Sequence, residues 1–352
     1  MASAASHRAC HLRLHGFQDS TPRALVCPRH IRHIRSSVSK KGHSVSGLAL
    51  KSLSLLLESA PIVTEPGPLR ESQRVIISDF EHAITTNARI PIPPPLEPQL
   101  PQALEALQTQ GFVHLTQILS HETCDALWEH VQDAVNTAAS GAGLLGGAKA
   151  RVDVKLKLEG AAKLTARETL GTNQLATLLL GAATDDAYLC EFGVLCSLPG
   201  ANRQPVHPDT VCTGRRAERP IYTCFVALQD VDVHMGPTRL LVGTNTPEAH
   251  KIASNVTSDE YASLLANTPN VDATLKKGHA VVFDSRTLHA GGANEANEGR
   301  RRCLLYLSAQ GPEEGCTKLP TSPERRTPPN AYSIVPEYHN KLKVREWNVF
   351  TA

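Results

Sequence analysis

From Ala187 onward the chain runs in short apolar strands with a single helical interruption, and this pattern restricts the available folds most. Ala187 to Ser197 ends at Pro199-Gly200, and Tyr222 to Leu228, Leu240 to Val242, Val281 to Phe283 and Cys303 to Leu307 follow. The interruption is a weak helix over Asp259 to Leu265. Short strands behind an opening helical layer predict an α+β protein, with a sandwich or jelly-roll core buttressed by helices on one side.

The opening layer is read from spacing. Leu104 and Leu107 belong to a short helix, and Gly111-Phe112-Val113-His114-Leu115 turns into a strand. Ser120 is a suitable N-cap for a helix through Leu127, Val131 and Val135, which the Gly-rich run 141–147 breaks. Arg151 to Leu158 alternates strictly, placing Val and Leu on one face and Arg, Asp and Lys on the other. A helix is expected from Glu168 to Leu180.

Around this domain, expected over 99–312, lie segments of different character. Residues 1–60 are rich in Arg and Ser, and Asp19 is the only acid before Glu58. That composition fits a chloroplast or mitochondrial transit peptide, or a disordered basic leader on a cytoplasmic protein. Residues 61–98, with Ile90-Pro91-Ile92-Pro93-Pro94-Pro95, read as a Pro-rich linker, and 313–352 as an irregular tail.

The totals exclude several classes. A net charge of +2 argues against electrostatically driven nucleic-acid or membrane-surface binding. No apolar run approaches the ~20 residues that span a bilayer. Nine scattered cysteines without a C-x-x-C pair suggest buried free thiols, with Cys212, Cys224 and Cys303 as small core residues.

Chemistry concentrates at Val206-His207-Pro208-Asp209-Thr210. A His and an Asp two residues apart on an extended chain share a face, setting an imidazole nitrogen beside a carboxylate oxygen. A second His completes a facial triad with an open side, the arrangement of non-haem Fe(II) oxygenases. His289, just past the strand Val281 to Phe283, is the suitable third ligand. His234 and His250 lie in polar loop sequence and His279 opens a strand, so each reads as surface or structural. Counting by two from Arg301 gives Cys303, Leu305 and Leu307, so Arg301 is expected to face the barrel interior, with Arg300 and Arg302 turned away. A buried Arg needs a carboxylate, and none stands nearby in sequence, which points to a carboxylate ligand.

Four stretches then carry a family resemblance. Arg203-Gln204-Pro205-Val206-His207-Pro208-Asp209-Thr210, Phe225-Val226-Ala227-Leu228-Gln229-Asp230-Val231-Asp232, Met235-Gly236-Pro237-Thr238 and Asp284-Ser285-Arg286-Thr287-Leu288-His289-Ala290-Gly291-Gly292-Ala293-Asn294 stand in the order and spacing of the phytanoyl-CoA dioxygenase (PhyH) family. The likeness spans roughly residues 100 to 310. It implies a double-stranded β-helix (cupin-like), Fe(II), O2, 2-oxoglutarate as co-substrate and ascorbate as a supporting reductant. By resemblance His207, Asp209 and His289 are the metal ligands, and Arg301 holds the far carboxylate of 2-oxoglutarate. Lys155 stands where the family often has a co-substrate Lys, Phe225 where it often has Trp, and Gln204 falls within the first motif, among the co-substrate residues. Gly291 departs from the Ser of animal members. A retained Asp209, where related halogenases carry a small residue, favours hydroxylation of a small-molecule substrate with release of succinate and CO2.

Two other readings compete with it. A non-catalytic metal- and 2-oxoglutarate-binding sensor would be expected to have lost a ligand, and a Zn(II) hydrolase has no use for a buried Arg. The substrate-setting loops, Thr210 to Pro220 and Pro247 to Asn270, carry no motif. The run Arg215, Arg216 and Arg219 reads as a solvated patch, with binding of an acidic substrate at the site mouth as the alternative.

Overall fold

Strict alternation at 151–155 is realised as a strand whose Val152 and Val154 are buried in a core while Arg151, Asp153 and Lys155 turn the other way. The computed structural model describes residues 71–96, 100–142, 150–171, 188–210, 212, 221–296 and 299–310. In chain order its main elements are α1 (Glu71–Thr85), α2 (Leu100–Thr109), β1 (Phe112–Leu115), α3 (His121–Ala142), β2 (Arg151–Lys155) and α4 (Gly160–Gly171). Then come β3 (Tyr188–Ser197), β4 (Ile221–Ala227), β5 (Thr238–Leu241), α5 (Pro247–Ala253), α6 (Asp259–Asn267), β6 (Asn270–Asp272), β7 (Ala280–Asp284), β8 (His289–Gly291) and β9 (Arg302–Gln310).

The strands form two antiparallel sheets. The larger runs β1-β7-β4-β9-β3-β2 and the smaller β6-β5-β8. Between them lies a cluster including Phe112, Leu240, Val271, Val281, Phe283 and Leu304. Leu127, Val131 and Val135 recur every four residues along α3 and bury that stripe against the outer face of the larger sheet. A third cluster joins Phe80 and Ile84 of α1 to Tyr261 and Leu265 of α6 and to Leu241 and Leu288 beside the smaller sheet. The structure therefore has helices on both outer sides, where one side was expected. Among the described residues no helix is long and apolar enough to cross a membrane.

Three expectations change. Residues 71–96 are not a free linker: α1 packs on the domain, the amide of Ile90 donates to Asn270 O and that of Leu96 to His114 O. Prolines 91 and 93–95 leave those flanking donors free to tie the segment down. The helix expected from Glu168 begins at Gly160, and its described part ends at Gly171. Cys196 and Cys303, direct cross-strand partners on β3 and β9, form a disulfide, whereas Cys124, Cys212 and Cys224 are buried thiols. The leader 1–60, the tail 313–352 and the arginines at 215, 216 and 219 lie outside the described residues.

Candidate metal and co-substrate site

The H-x-D segment is bolted to the edge of the smaller sheet. His207 and His289 exchange both backbone hydrogen bonds at 2.9 Å, Gln204 donates its amide to Gly291 O at 2.8 Å, and the amides of Asp209 and Thr210 converge on Ser285 O. β8 is held in turn by β5, with His289 opposite Leu240. Side chains two apart on this extended stretch share a face, so His207 and Asp209 point at the same volume as His289. His207 Nε2 stands 3.8 Å from Asp209 Oδ1, and His289 Nε2 stands 3.6 Å from Asp209 Oδ2. One ligand atom from each lies within 4.8 Å of the others, the only such group of His, Cys, Asp and Glu among the described residues.

These separations suit an ion. With metal–ligand bonds of ~2.1 Å, two ligands stand ~3.0–3.4 Å apart, so closing the triad from separations of up to 4.8 Å needs side-chain shifts of about an ångström. The tautomers are already set. His207 Nδ1 lies 2.7 Å from Pro205 O and His289 Nδ1 lies 2.9 Å from Thr287 O. A carbonyl only accepts, so each Nδ1 carries the proton and each Nε2 presents a lone pair inward. Burial, reinforced by the His289 ring, lowers the His207 pKa and keeps it a neutral ligand. The donor set fits a divalent ion of the Fe(II) type, and its three ligands leave one side open.

The rival histidines have other duties. His250 accepts the Cys212 amide at Nδ1 and bonds Arg286 O through Nε2, an internal brace. His279 stacks near His114, their ring centroids 5.8 Å apart, and His234 sits in a 3-10 turn capped by Asp232.

Arginine is where the sequence reading needs correction. Arg301 does not enter the interior. Its Nη1 donates to Asn136 Oδ1 of α3 at 2.6 Å and its guanidinium lies 5.9 Å from the Trp128 ring centroid. Its face of β9, with Cys303, Leu305 and Leu307, packs on the helices. Arg302 takes the inward face with Leu304, Tyr306 and Ser308, and is only 2% exposed. Its Nη2 donates to Ser197 Oγ at 2.8 Å, while Nε and Nη1 have no hydrogen-bond partner. Burial, with the charge of Arg151 added, depresses its pKa to about 9.

Arg151, not singled out in the sequence, flanks it. Arg151 pairs with Ser197 across β2–β3 and Ser197 with Arg302 across β3–β9, so the three form one row. Arg151 Nη2 also donates to Gly292 O at 3.0 Å. Gly292 follows β8, three residues past His289, or ~10 Å along an extended chain. The signal available for Arg151 was its parity with Lys155.

The remaining expected residues line or support the same hollow. Lys155 lies opposite Gly193 and is half-buried on the inward polar face of β2. Tyr306 crosses Gly193 to donate to Asp153 Oδ1 at 2.6 Å, and a Cβ on Gly193 would stand 2.5 Å from that hydroxyl. Phe225 packs edge-on against Phe283 at 5.2 Å, and Phe283 lies 5.1 Å from the His289 ring. Gln204 acts on the protein itself: its Oε1 accepts the Gly291 amide at 3.0 Å and fills the space a side chain at 291 would need. Glu191, also not singled out, accepts from Ser308, whose hydroxyl lies 2.9 Å from that of Thr223. Burial raises its pKa to about 8; the Ser308 hydrogen bond opposes the shift and Asp209 adds to it.

The family model described as Phytanoyl-CoA dioxygenase (PhyH) matches residues 107–303. Dioxygenase trt7 of Aspergillus terreus (strain NIH 2624 / FGSC A1156) is 26% identical over 222 residues, 58% of this chain and 72% of that protein. Dioxygenase hkm4 of Aspergillus hancockii is 27% identical over 128 residues, 35% of this chain and 38% of that protein. Among solved structures, AviO1 from Streptomyces viridochromogenes Tue57 is 18% identical with a TM-score of 0.45, covering 66% of this chain and 100% of that one. The epimerase SnoN in complex with Fe3+, alpha ketoglutarate and nogalamycin RO is 18% identical with a TM-score of 0.44, covering 67% and 95%.

Proposed function

The chain belongs to the phytanoyl-CoA dioxygenase (PhyH) family, and from that premise we propose that it is an Fe(II)/2-oxoglutarate-dependent dioxygenase that hydroxylates a small-molecule substrate. In this reading the facing sheets are the two halves of a double-stranded β-helix. His207, Asp209 and His289 would hold iron, which would supply the redox chemistry for O2 and 2-oxoglutarate when bound.

One observation carries the assignment: a fully buried guanidinium, Arg302, has two nitrogens lacking partners and stands in one row with Arg151, whose charge reaches both it and His207 of the open three-ligand face. A buried cation without a counter-ion is costly, and a carboxylate is the group that relieves it. Arg302 therefore replaces Arg301 as the anchor for the far carboxylate of 2-oxoglutarate. Lys155, on the same polar face as Arg151, would be available to that anion, and Phe225 and Phe283 beside His289 would be an apolar wall that limits water. Glu191, Ser308 and Thr223 offer the primary substrate a hydrogen-bonding wall beyond Tyr306. The protein's contribution is positioning and exclusion of solvent.

The test is succinate formation from 2-oxoglutarate by anaerobically purified protein given Fe(II), ascorbate and O2, beside His207→Ala and Arg302→Ala. Succinate in the wild type, lost in both variants, supports the reading. Tight 2-oxoglutarate binding without succinate, even across a metabolite screen, replaces it with a sensing role. Absence of 2-oxoglutarate binding to the iron-loaded protein overturns both.

A further inference from the structure

The metal-bearing segment is gripped from behind by α1, which lies outside the stretch matched by the family model. Segment 204–210 has two edges. One pairs with β8 and with Ser285. On the other edge the amide of Val206, one residue before the ligand His207, donates to Glu81 Oε2 at 2.6 Å. Glu81 Oε1 accepts from the Tyr261 hydroxyl of α6 at 2.6 Å. Two residues back on α1, Asp79 pairs with Arg203 at 3.2 Å. One carboxylate thus bridges two helices and the ligand strand.

Apolar packing reaches the Val206 side chain, which lies against the cluster of Phe80, Ile84 and Tyr261, and leaves the rest of the junction open. Between α1 and the segment lies a cavity of about 250 Å3 bordered by Ser78, Glu81, Arg203, Gln204 and Val206. Where a junction is hollow, its geometry depends on the directional bonds that cross it. Glu81 itself is 1% exposed, and burial raises its pKa to about 7. Without that carboxylate the half-buried Val206 amide would lose its protein partner.

We propose that Glu81 is a positioning residue for the metal site, fixing His207 through the backbone of Val206, so that the N-terminal helix is part of the metal-binding machinery. The inference rests on the reading of His207, Asp209 and His289 as metal ligands. Removing a group that supports a metal ligand typically costs 10–100-fold in metal affinity.

Co(II) is a suitable redox-inert probe, titrated calorimetrically into the full chain as wild type, Glu81→Ala, Glu81→Gln and Glu81→Asp. Glutamine keeps an acceptor for the Val206 amide and a polar partner for Tyr261, so it should bind Co(II) within about threefold of wild type. Alanine should weaken binding at least about tenfold and speed hydrogen exchange at the Val206 amide. Should alanine fail to fold, aspartate serves, because it keeps the charge on α1 but draws it back by one methylene. Weakened binding there supports the inference. Wild-type affinity in the alanine variant, in a folded aspartate variant, or glutamine as weak as alanine, overturns it. A wild type that binds no Co(II) overturns the metal reading itself, and this inference with it.

Discussion

His207 and His289 hold each other by two backbone hydrogen bonds of 2.9 Å, the amide of each donating to the carbonyl of the other. Their rings, with centroids 4.6 Å apart, are consequently spaced by main chain and not by side-chain packing. A pocket built this way should persist when one of its side chains is removed.

Replacing Asp209 or His289 with alanine should therefore abolish metal binding while leaving the fold intact. The expected result is loss of detectable Co(II) binding by calorimetry, with an unchanged far-UV circular dichroism spectrum and a melting temperature within a few degrees of wild type.

Arg302 and Arg301, adjacent in sequence, should behave oppositely. Arg302→Met should weaken 2-oxoglutarate binding at least about 30-fold, the ~2 kcal/mol or more associated with truncating a buried charge pair. The same change removes a buried cation, so the ligand-free protein should melt at a higher temperature. Arg301→Ala should leave 2-oxoglutarate affinity unchanged and cost at most ~1 kcal/mol from the contact over Trp128. Equilibrium binding and thermal melts on the two variants check both halves.

Gly291 is incompatible with the Ser of animal relatives as long as Gln204 stays in place. A Cβ there would stand 2.4 Å from Gln204 Oε1 and 3.3 Å from Arg151 Nη2. Gly291→Ser should lower stability by ~1 kcal/mol or more through overpacking and the displaced hydrogen bond to the Gly291 amide. Combining it with Gln204→Ala should recover much of that loss. A double-mutant cycle by chemical denaturation measures the coupling, and strict additivity would contradict this account.

Stability of the metal-free protein should depend on pH through its buried acids. Glu191 and Glu81 have pKa values raised to about 8 and about 7 from 4.5. The folded state therefore holds protons that the unfolded state releases, and their contribution is full below pH ~4.5 and lost as pH rises through 7 and 8. His207, lowered from 6.5 by burial, acts with the opposite sign. Thermal melts from pH 5 to 8.5 should show a shallower decline in Glu191→Gln than in wild type, because glutamine removes one of the falling contributions and leaves the His207 one untouched.

Local chemistry was legible in the sequence because it depends on spacing. The two-residue step from His207 to Asp209 requires a shared face on any extended chain, and the alternation at Arg151–Lys155 requires a polar and an apolar side. Period alone also identified the apolar stripe of α3 at Leu127, Val131 and Val135. What spacing does not supply is which face looks inward. β9 lies between the helical layer and the smaller sheet and is buried on both sides, so no exposed side exists to orient it. Strand parity correctly separated Arg301 from Arg302, but only packing decided that the Cys303–Leu305–Leu307 face meets the helices and that Arg302 is the interior cation. In β2, an edge strand, the alternation survived, and packing alone decided that its polar face carries Arg151 beside Ser197 and Arg302. Contacts between residues more than a hundred positions apart, such as Glu81 with Val206 and Cys196 with Cys303, leave no periodic trace and exist only once the layers are stacked. The sequence by itself determined the ligand types and the strand faces; the tertiary structure decided which faces meet, because burial on both sides erases the alternation that would have told them apart.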